Sequence, residues 1–296
     1  MMNGAQGNLA GKLNGKAAGA GAEGWLARLI LYVLIGLGAL VSVFPFYWIL
    51  VIASRTRDAV YHIPPVVTLG DQISNNFNNV LAKITFFRAL WNSFFVSGAS
   101  TICVLLLCSL AGLAFAKYNF PGKKWLFAIV LGTLLIPTQL NILPNYVVMS
   151  KLSWIDSHKA IIVPGMVTAF GIFWMRQYIS SAVHNELMEA GRVDGCSHFR
   201  IFWNIVLPII TPGLATLGIF NFLNVWNDFF WPLVVLKNKM NFTIQIAMQQ
   251  LYTINDGIDY GTIMSAIFFS TLPLLIVFIL FSRWFIAGIS TGAVKS

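Results

Sequence analysis

Ten Asp and Glu residues, four histidines and three cysteines are all that this 296-residue chain offers for acid–base, metal or thiol chemistry. Glu186, Glu189 and Asp194 are its one candidate cluster of three acidic residues. The histidines, at positions 62, 158, 184 and 198, have no metal-ligand spacing, so no metal site is expected. Cys103 and Cys108 fall five apart in one apolar run and Cys196 lies far from both, which gives no disulfide framework. The Gly-Lys pairs at 11–12, 15–16 and 122–123 lack the upstream glycine and the following Ser or Thr of a phosphate-binding loop. No nucleotide cofactor is expected in this chain by that route. What remains is amide and aromatic chemistry, suited to holding hydroxyl-rich molecules rather than to breaking bonds. Asn221, Asn224 and Asp228 recur at i, i+3 and i+7, one helical face, with Trp226 and Asn227 beside them. Phe222, Phe229, Phe230 and Trp231 interleave with that stripe, and Gln139 and Asn141 sit between Pro137 and Pro144.

The elements that carry these residues are membrane elements. Hydrophobic residues make up 57% of the chain and charged residues 10%, against about 25% charged in soluble domains. Mean hydropathy is +0.75. The net charge of +9 does not indicate nucleic acid as a partner, because the basic residues stand singly at the ends of apolar runs, where membrane proteins place them.

Uncharged stretches mark the expected spans: 29–54, 89–116, 125–150, 160–175, 201–227 and 260–282. A bilayer needs about 20 apolar residues per helix. Five stretches meet that length. The shorter fourth one can extend to Ile179 if Arg176 reaches back to the surface. Pro137 and Pro144 imply a broken or kinked third span, beside a cavity or packed against a neighbour. Residues 1–24, with seven glycines and six alanines, are expected as a disordered cytoplasmic tail, 25–287 as the six-span domain and 288–296 as a short cytoplasmic tail. With both termini inside, 11 of the 19 basic residues fall inside and 8 outside, as the positive-inside rule asks. Segment 55–88 is then external, either a connector or a landing surface, with Phe86, Phe87, Leu90 and Trp91 toward lipid. Asn221 and Asn224, deep in the fifth span, read as a polar pathway, since amides are costly against lipid. Phe229 to Trp231 read as an aromatic belt at the outer surface.

Between the fourth and fifth spans lies a connecting loop, 180–206. Leu187, Met188 and Ala190 give its first helix an apolar face, Gly191 and Gly195 can stop it, and Ser197 can cap a second helix bearing Phe199, Phe202, Trp203 and Val206. The order Glu189-Ala190-Gly191, three residues, Gly195, nine residues, Ile205, one residue, Leu207-Pro208 resembles the cytoplasmic-loop signature of permease subunits of ABC importers. Gly191 stands where a second alanine is usual. The likeness covers nearly the whole chain and is closest to the shorter permease subunit of maltose-type carbohydrate importers, more loosely to an alginate-importing member.

That resemblance implies an all-α membrane protein with six transmembrane helices and a MetI-like permease core. It implies a sugar importer in the inner membrane, built with a second permease subunit, two ATP-binding subunits that hold ATP and Mg, and an external sugar-binding protein. Glu186, Leu187, Met188, Glu189, Ala190, Gly191, Asp194 and Gly195 would then dock in the ATPase, with 186–208 as the coupling segment. Gln139, Asn141, Asn221, Asn224, Trp226, Asn227 and Asp228 are the expected pathway residues. The chain itself would be non-catalytic. The alternative is a self-contained carrier or channel, which would need ionisable groups within spans or an internal repeat; neither is present in the sequence.

Overall fold

The computed structural model describes residues 6–252 and 257–293, and among them every regular element is helical. In chain order the helices are α1 (Gln6–Ala53), α2 (Ile73–Lys83), α3 (Phe86–Lys117), α4 (Lys123–Thr133), α5 (Ile142–Lys151), α6 (Lys159–Ile162) and α7 (Ala169–Ala182). There follow α8 (Asn185–Val193), α9 (His198–Ile201), a π-helical turn (Phe202–Val206), α10 (Leu207–Ile209) and α11 (Thr211–Trp226). The last are α12 (Phe230–Val235), α13 (Ile244–Gln249) and α14 (Tyr260–Ala293).

The mast of the molecule is α3. Its 32 residues span about 48 Å at 1.5 Å per residue. Three apolar clusters hang along it. Val104, Cys108 and Leu113 pack with Met175 and Ile179 of α7 and with Ile210 and Leu217. Val96 packs with Met149, Ile161 and Val235. Phe86 and Ala89 pack with Phe222, Trp226, Ile244 and Ile263. Small residues let the helices approach, as expected where lipid gives no hydrophobic drive. A Cβ on Gly112 would lie 2.7 Å from the Met175 Cβ and 2.9 Å from the Arg176 backbone nitrogen.

Three helical stretches, Ala27–Ala53, Phe86–Lys117 and Tyr260–Leu280, are long and apolar enough to cross a membrane. Two bent pairs bring the number to five. The pair α4–α5 breaks by 95° at 133–138, where the proline-based reading expected a break. The pair from His198 to Trp226 bends by 79° around Ile210, although 201–227 was expected to run through. Pro208 and Pro212 explain this, since each lacks the N–H that an unbroken helix requires. The expected span 160–175 is also divided. Helix α6 stops at Ile162, Pro164-Gly165 turns the chain, and Thr168 opens α7 by accepting a hydrogen bond from the Gly171 N–H at 3.0 Å.

The described helices also reach past the expected boundaries of the two tails. Helix α1 begins at Gln6, because alanines favour continuing a helix already nucleated by the apolar run behind them. Helix α14 continues to Ala293. Residues 1–5 and 294–296 lie outside the described residues. Over 27–47, α1 is exposed along its whole surface. Its far end is tied down: the Asn76 amide on α2 donates to the Ala53 and Arg55 carbonyls at 2.8 and 2.7 Å.

At the Phe86 end of α3, residues 237–244 are fastened against the bundle. Asn92 donates to the Met240 and Phe242 carbonyls at 2.9 Å, and Ser93 Oγ accepts from the Ile244 N–H. The Asp156 carboxylate accepts from the Lys237 and Asn238 backbone N–H groups, both at 2.9 Å. These bonds, led by that from Asn238, hold its pKa below the usual carboxylate value. A depressed pKa stabilises the fold above the ordinary value near 3.9, so this tie is complete at neutral pH and weakens only as acid protonates Asp156. Phe86 is buried here, not lipid-facing as expected, because Phe77 of α2 packs edge-on against it at 5.4 Å. Phe87 and Trp91 are exposed.

Candidate functional site

At the opposite end of α3, the chain between α7 and α11 folds into a short rooted handle. Helix α8 starts after His184 and is closed by hydrogen bonds on both sides of Gly195. The Cys196 N–H donates to the Gly191 carbonyl at 2.9 Å, and the Gly195 N–H to the Arg192 carbonyl at 3.0 Å. This is a Schellman closure, which needs a left-handed residue at its pivot. Gly195 supplies it with φ of 75°. Ser197 then caps α9, its hydroxyl accepting from the Arg200 N–H at 3.3 Å, as expected.

Two buried residues root α8, Met188 and Gly191. Met188 enters the cluster formed by Ile179, Val183, Ile201, Phe202 and Val206. Gly191 does not stop the helix, which runs on to Val193. Its role is close approach: a Cβ there would stand 2.8 Å from Ile205 Cδ1. Polar ties fix the handle to the end of α3. Lys117 Nζ donates to Asn185 Oδ1 at 3.0 Å, the Tyr118 hydroxyl meets His198 Nδ1 at 3.1 Å, and the Arg192 guanidinium lies 5.8 Å from the Tyr118 ring centre.

The other face of α8 is open, apart from the attraction between Glu186 and Lys117 at the end of α3. Glu186, Glu189, Ala190, Asp194 and Gly195 are exposed, Leu187 is 42% exposed and Val193 88%. The expected apolar face of Leu187, Met188 and Ala190 is therefore split. Met188 points into the core, while Leu187 and Ala190 stand outside with the carboxylates. Helical phase explains it, because residues one and two apart point in different directions. The three carboxylates sit on an open surface and not in a cleft, an arrangement for surface recognition.

The expected pathway residues separate as well. Asn221 is buried and donates to Thr101 Oγ1 of α3 at 3.1 Å. Asn224 is exposed, Asp228 Oδ1 accepts from the Trp231 N–H at 3.4 Å, and Gln139 and Asn141 are exposed in the bend between α4 and α5. Trp226 and Asn227 do share a site. They line a cavity of about 390 Å³ with Phe229, Gln245, Gln249 and Tyr252. The last three polar residues were not anticipated, although Gln245 and Gln249 at i, i+4 in an apolar run are the same signal as the asparagine stripe.

Comparison with known proteins now bears on this geometry. The profile of the family "Binding-protein-dependent transport system inner membrane component" matches residues 108–291, which include the handle and the cavity. This chain belongs to that family of transport components. Among its relatives is the arabinooligosaccharides transport system permease protein AraQ of Halalkalibacterium halodurans, 39% identical over 69% of this chain and 72% of that protein. The lactose transport system permease protein LacG of Rhizobium radiobacter is 31% identical over 91% of this chain and 97% of LacG. A chain from the crystal structure of a bacterial ABC transporter involved in import of the acidic polysaccharide alginate shares the fold. Its TM-score is 0.75, at 22% identity, over 88% of this chain and 96% of that one. The permease reading and the MetI-like all-α core expected from the loop signature both hold.

Within this transport component, Gly191 gives a direct test of the handle's packing. Alanine is favoured over glycine inside a helix by about 0.8–1 kcal/mol. The contacted atom, Ile205 Cδ1, is the tip of a flexible side chain. Gly191→Ala is therefore expected to leave the melting temperature of the purified chain unchanged or slightly raised. A marked fall would show that the α8–Ile205 contact cannot yield.

Proposed function

We propose that this chain is one permease subunit of an ATP-driven, binding-protein-dependent importer of oligosaccharides. It forms half of a translocation pathway with a second, different permease subunit. Two ATP-binding subunits, which hold ATP and Mg, meet the face of α8 on the cytoplasmic side, where both termini also lie. A soluble sugar-binding protein delivers substrate to the other side. This chain breaks no bond itself.

The observation that carries this reading is the handle. A short helix is rooted in the core through Met188, closed at Gly195, and joined by short connections to α7 and α11. Its outer face offers Glu186, Leu187, Glu189, Ala190, Val193 and Asp194 to a partner groove. A push on that face moves α7 and α11 as a rigid body, the kind of motion that alternates access in such machines. Sugar names recur among the relatives, which supports carbohydrate as the cargo class.

The test is uptake and ATP hydrolysis by the assembled importer carrying Glu189→Ala. Charge-assisted hydrogen bonds contribute about 1.5–3 kcal/mol, and each 1.4 kcal/mol is about tenfold. Sugar uptake is expected to fall by about tenfold or more, with the chain inserted in normal amount. Unchanged uptake and unchanged sugar-stimulated hydrolysis would remove α8 as the lever.

A further inference from the structure

We infer that the cavity between α11, α13 and α14 is a contact site for uncharged sugar residues and selects against acidic ones. This rests on the oligosaccharide-importer reading and deepens it. The cavity, about 390 Å³, falls within the range of about 300–1,000 Å³ typical of small-molecule sites. Its described lining contains no Lys, Arg, His, Asp or Glu. Phe229 and Tyr252 supply aromatic surface over the buried Trp226, and Asn227, Gln245 and Gln249 supply amides. An amide is donor and acceptor at once, which matches a sugar hydroxyl that is also both.

Besides these amides, the hydroxyls of the lining are turned to acceptors. The Asn227 amide nitrogen donates to the Leu223 carbonyl at 2.9 Å, and its oxygen faces Gln245 Nε2 at the long distance of 3.5 Å. The Ser270 and Thr271 hydroxyls, also in the lining, spend their protons on the Ile267 carbonyl at 2.9 and 2.8 Å. What they show to the cavity is oxygen lone pairs. A carboxylate or phosphate asks for the opposite, a guanidinium, an ammonium or several N–H groups. An anion desolvated here without a counter-charge would carry a large penalty. A hydroxyl donating to Ser270 or Thr271 and accepting from Gln249 would not.

The experiment uses the complete importer, this chain with its partner subunits and binding protein, in proteoliposomes. The probes are neutral pentasaccharides (arabino-, galacto- and maltopentaose) and alginate pentasaccharide, and the variants are Gln249→Ala, Gln249→Arg and Tyr252→Ala. Gln249 and Tyr252 are exposed on the cavity rim, so these changes leave the fold intact. The expected result is uptake of at least one neutral probe and not of the uronate. Gln249→Ala and Tyr252→Ala should each reduce that uptake by about fivefold to tenfold, and Gln249→Arg should abolish it. Sugar-independent ATP hydrolysis, which reads the handle, should be unmoved. Uptake of a neutral probe insensitive to all three variants overturns the cavity assignment alone. Preferred uptake of the alginate probe overturns the selection against acidic sugars. Uptake of no probe at all by the unmodified importer overturns the oligosaccharide reading together with the inference.

Discussion

Gly195→Val is expected to cut uptake by the assembled importer about fivefold or more while the chain still inserts and folds. A Cβ at position 195 would meet nothing within 4 Å, so crowding plays no part. The penalty is in the backbone. With φ at 75°, a β-branched residue is strained by about 1–3 kcal/mol, and the chain can relieve this only by opening the closure between α8 and α9. Each 1.4 kcal/mol is about a tenfold change in the population of the closed form. The Cys196-to-Gly191 and Gly195-to-Arg192 bonds are then the first to go. Asparagine tolerates the left-handed region, so Gly195→Asn should retain most of the uptake. If valine and asparagine behave alike, the closure is not what holds the handle in shape.

Gly112→Leu is expected to have the larger effect on folding. The Cβ alone would sit 2.7 Å from Met175 Cβ and 3.0 Å or less from backbone atoms of Met175 and Arg176. None of these atoms can swing aside, so α3 and α7 must separate along their contact. Overpacking of this kind costs about 1–3 kcal/mol and sometimes more, and here it falls in the cluster that also roots Met188. Size-exclusion of the fluorescent-tagged chain should show most of the monodisperse peak lost. Met175→Ala should give no rescue, because it keeps the Cβ that is struck. A normal peak for Gly112→Leu would show that α3 and α7 are not in the contact described.

What the sequence made readable depended on how local the physics was. Gly195 and Ser197 were legible because a left-handed pivot and a helix cap each need their residue type at one place in the chain. Pro137 announced the α4–α5 break for the same reason. The division of 160–175 was signalled too, by Pro164, Gly165 and Thr168, but its uncharged length outweighed them in a reading based on span length. Gly191 looked like a stop and proved to be a point of contact with Ile205, which lies in the next helical stretch. The expected stripe of Asn221, Asn224 and Asp228 outruns α11, which ends at Trp226, and the periodicity of one helix does not name its neighbours. Asn221 turned out to face Thr101, 120 residues away. The amides of α13 were missed because six residues give too short a run for a polar stripe to stand out.

The wide turn at Phe202–Val206 has a consequence for how the rod and its handle are phased. Such a turn holds one residue more than the ordinary coil it interrupts. Removing a single residue there would tighten the coil and screw everything before it by about 100°, the step of one residue in an α-helix. Met188 would swing away from its socket, and the carboxylates would sweep to a different bearing around the axis. The orientation in which this chain presents itself to a neighbour is thus set by a residue count, in a stretch packed against the root of the handle.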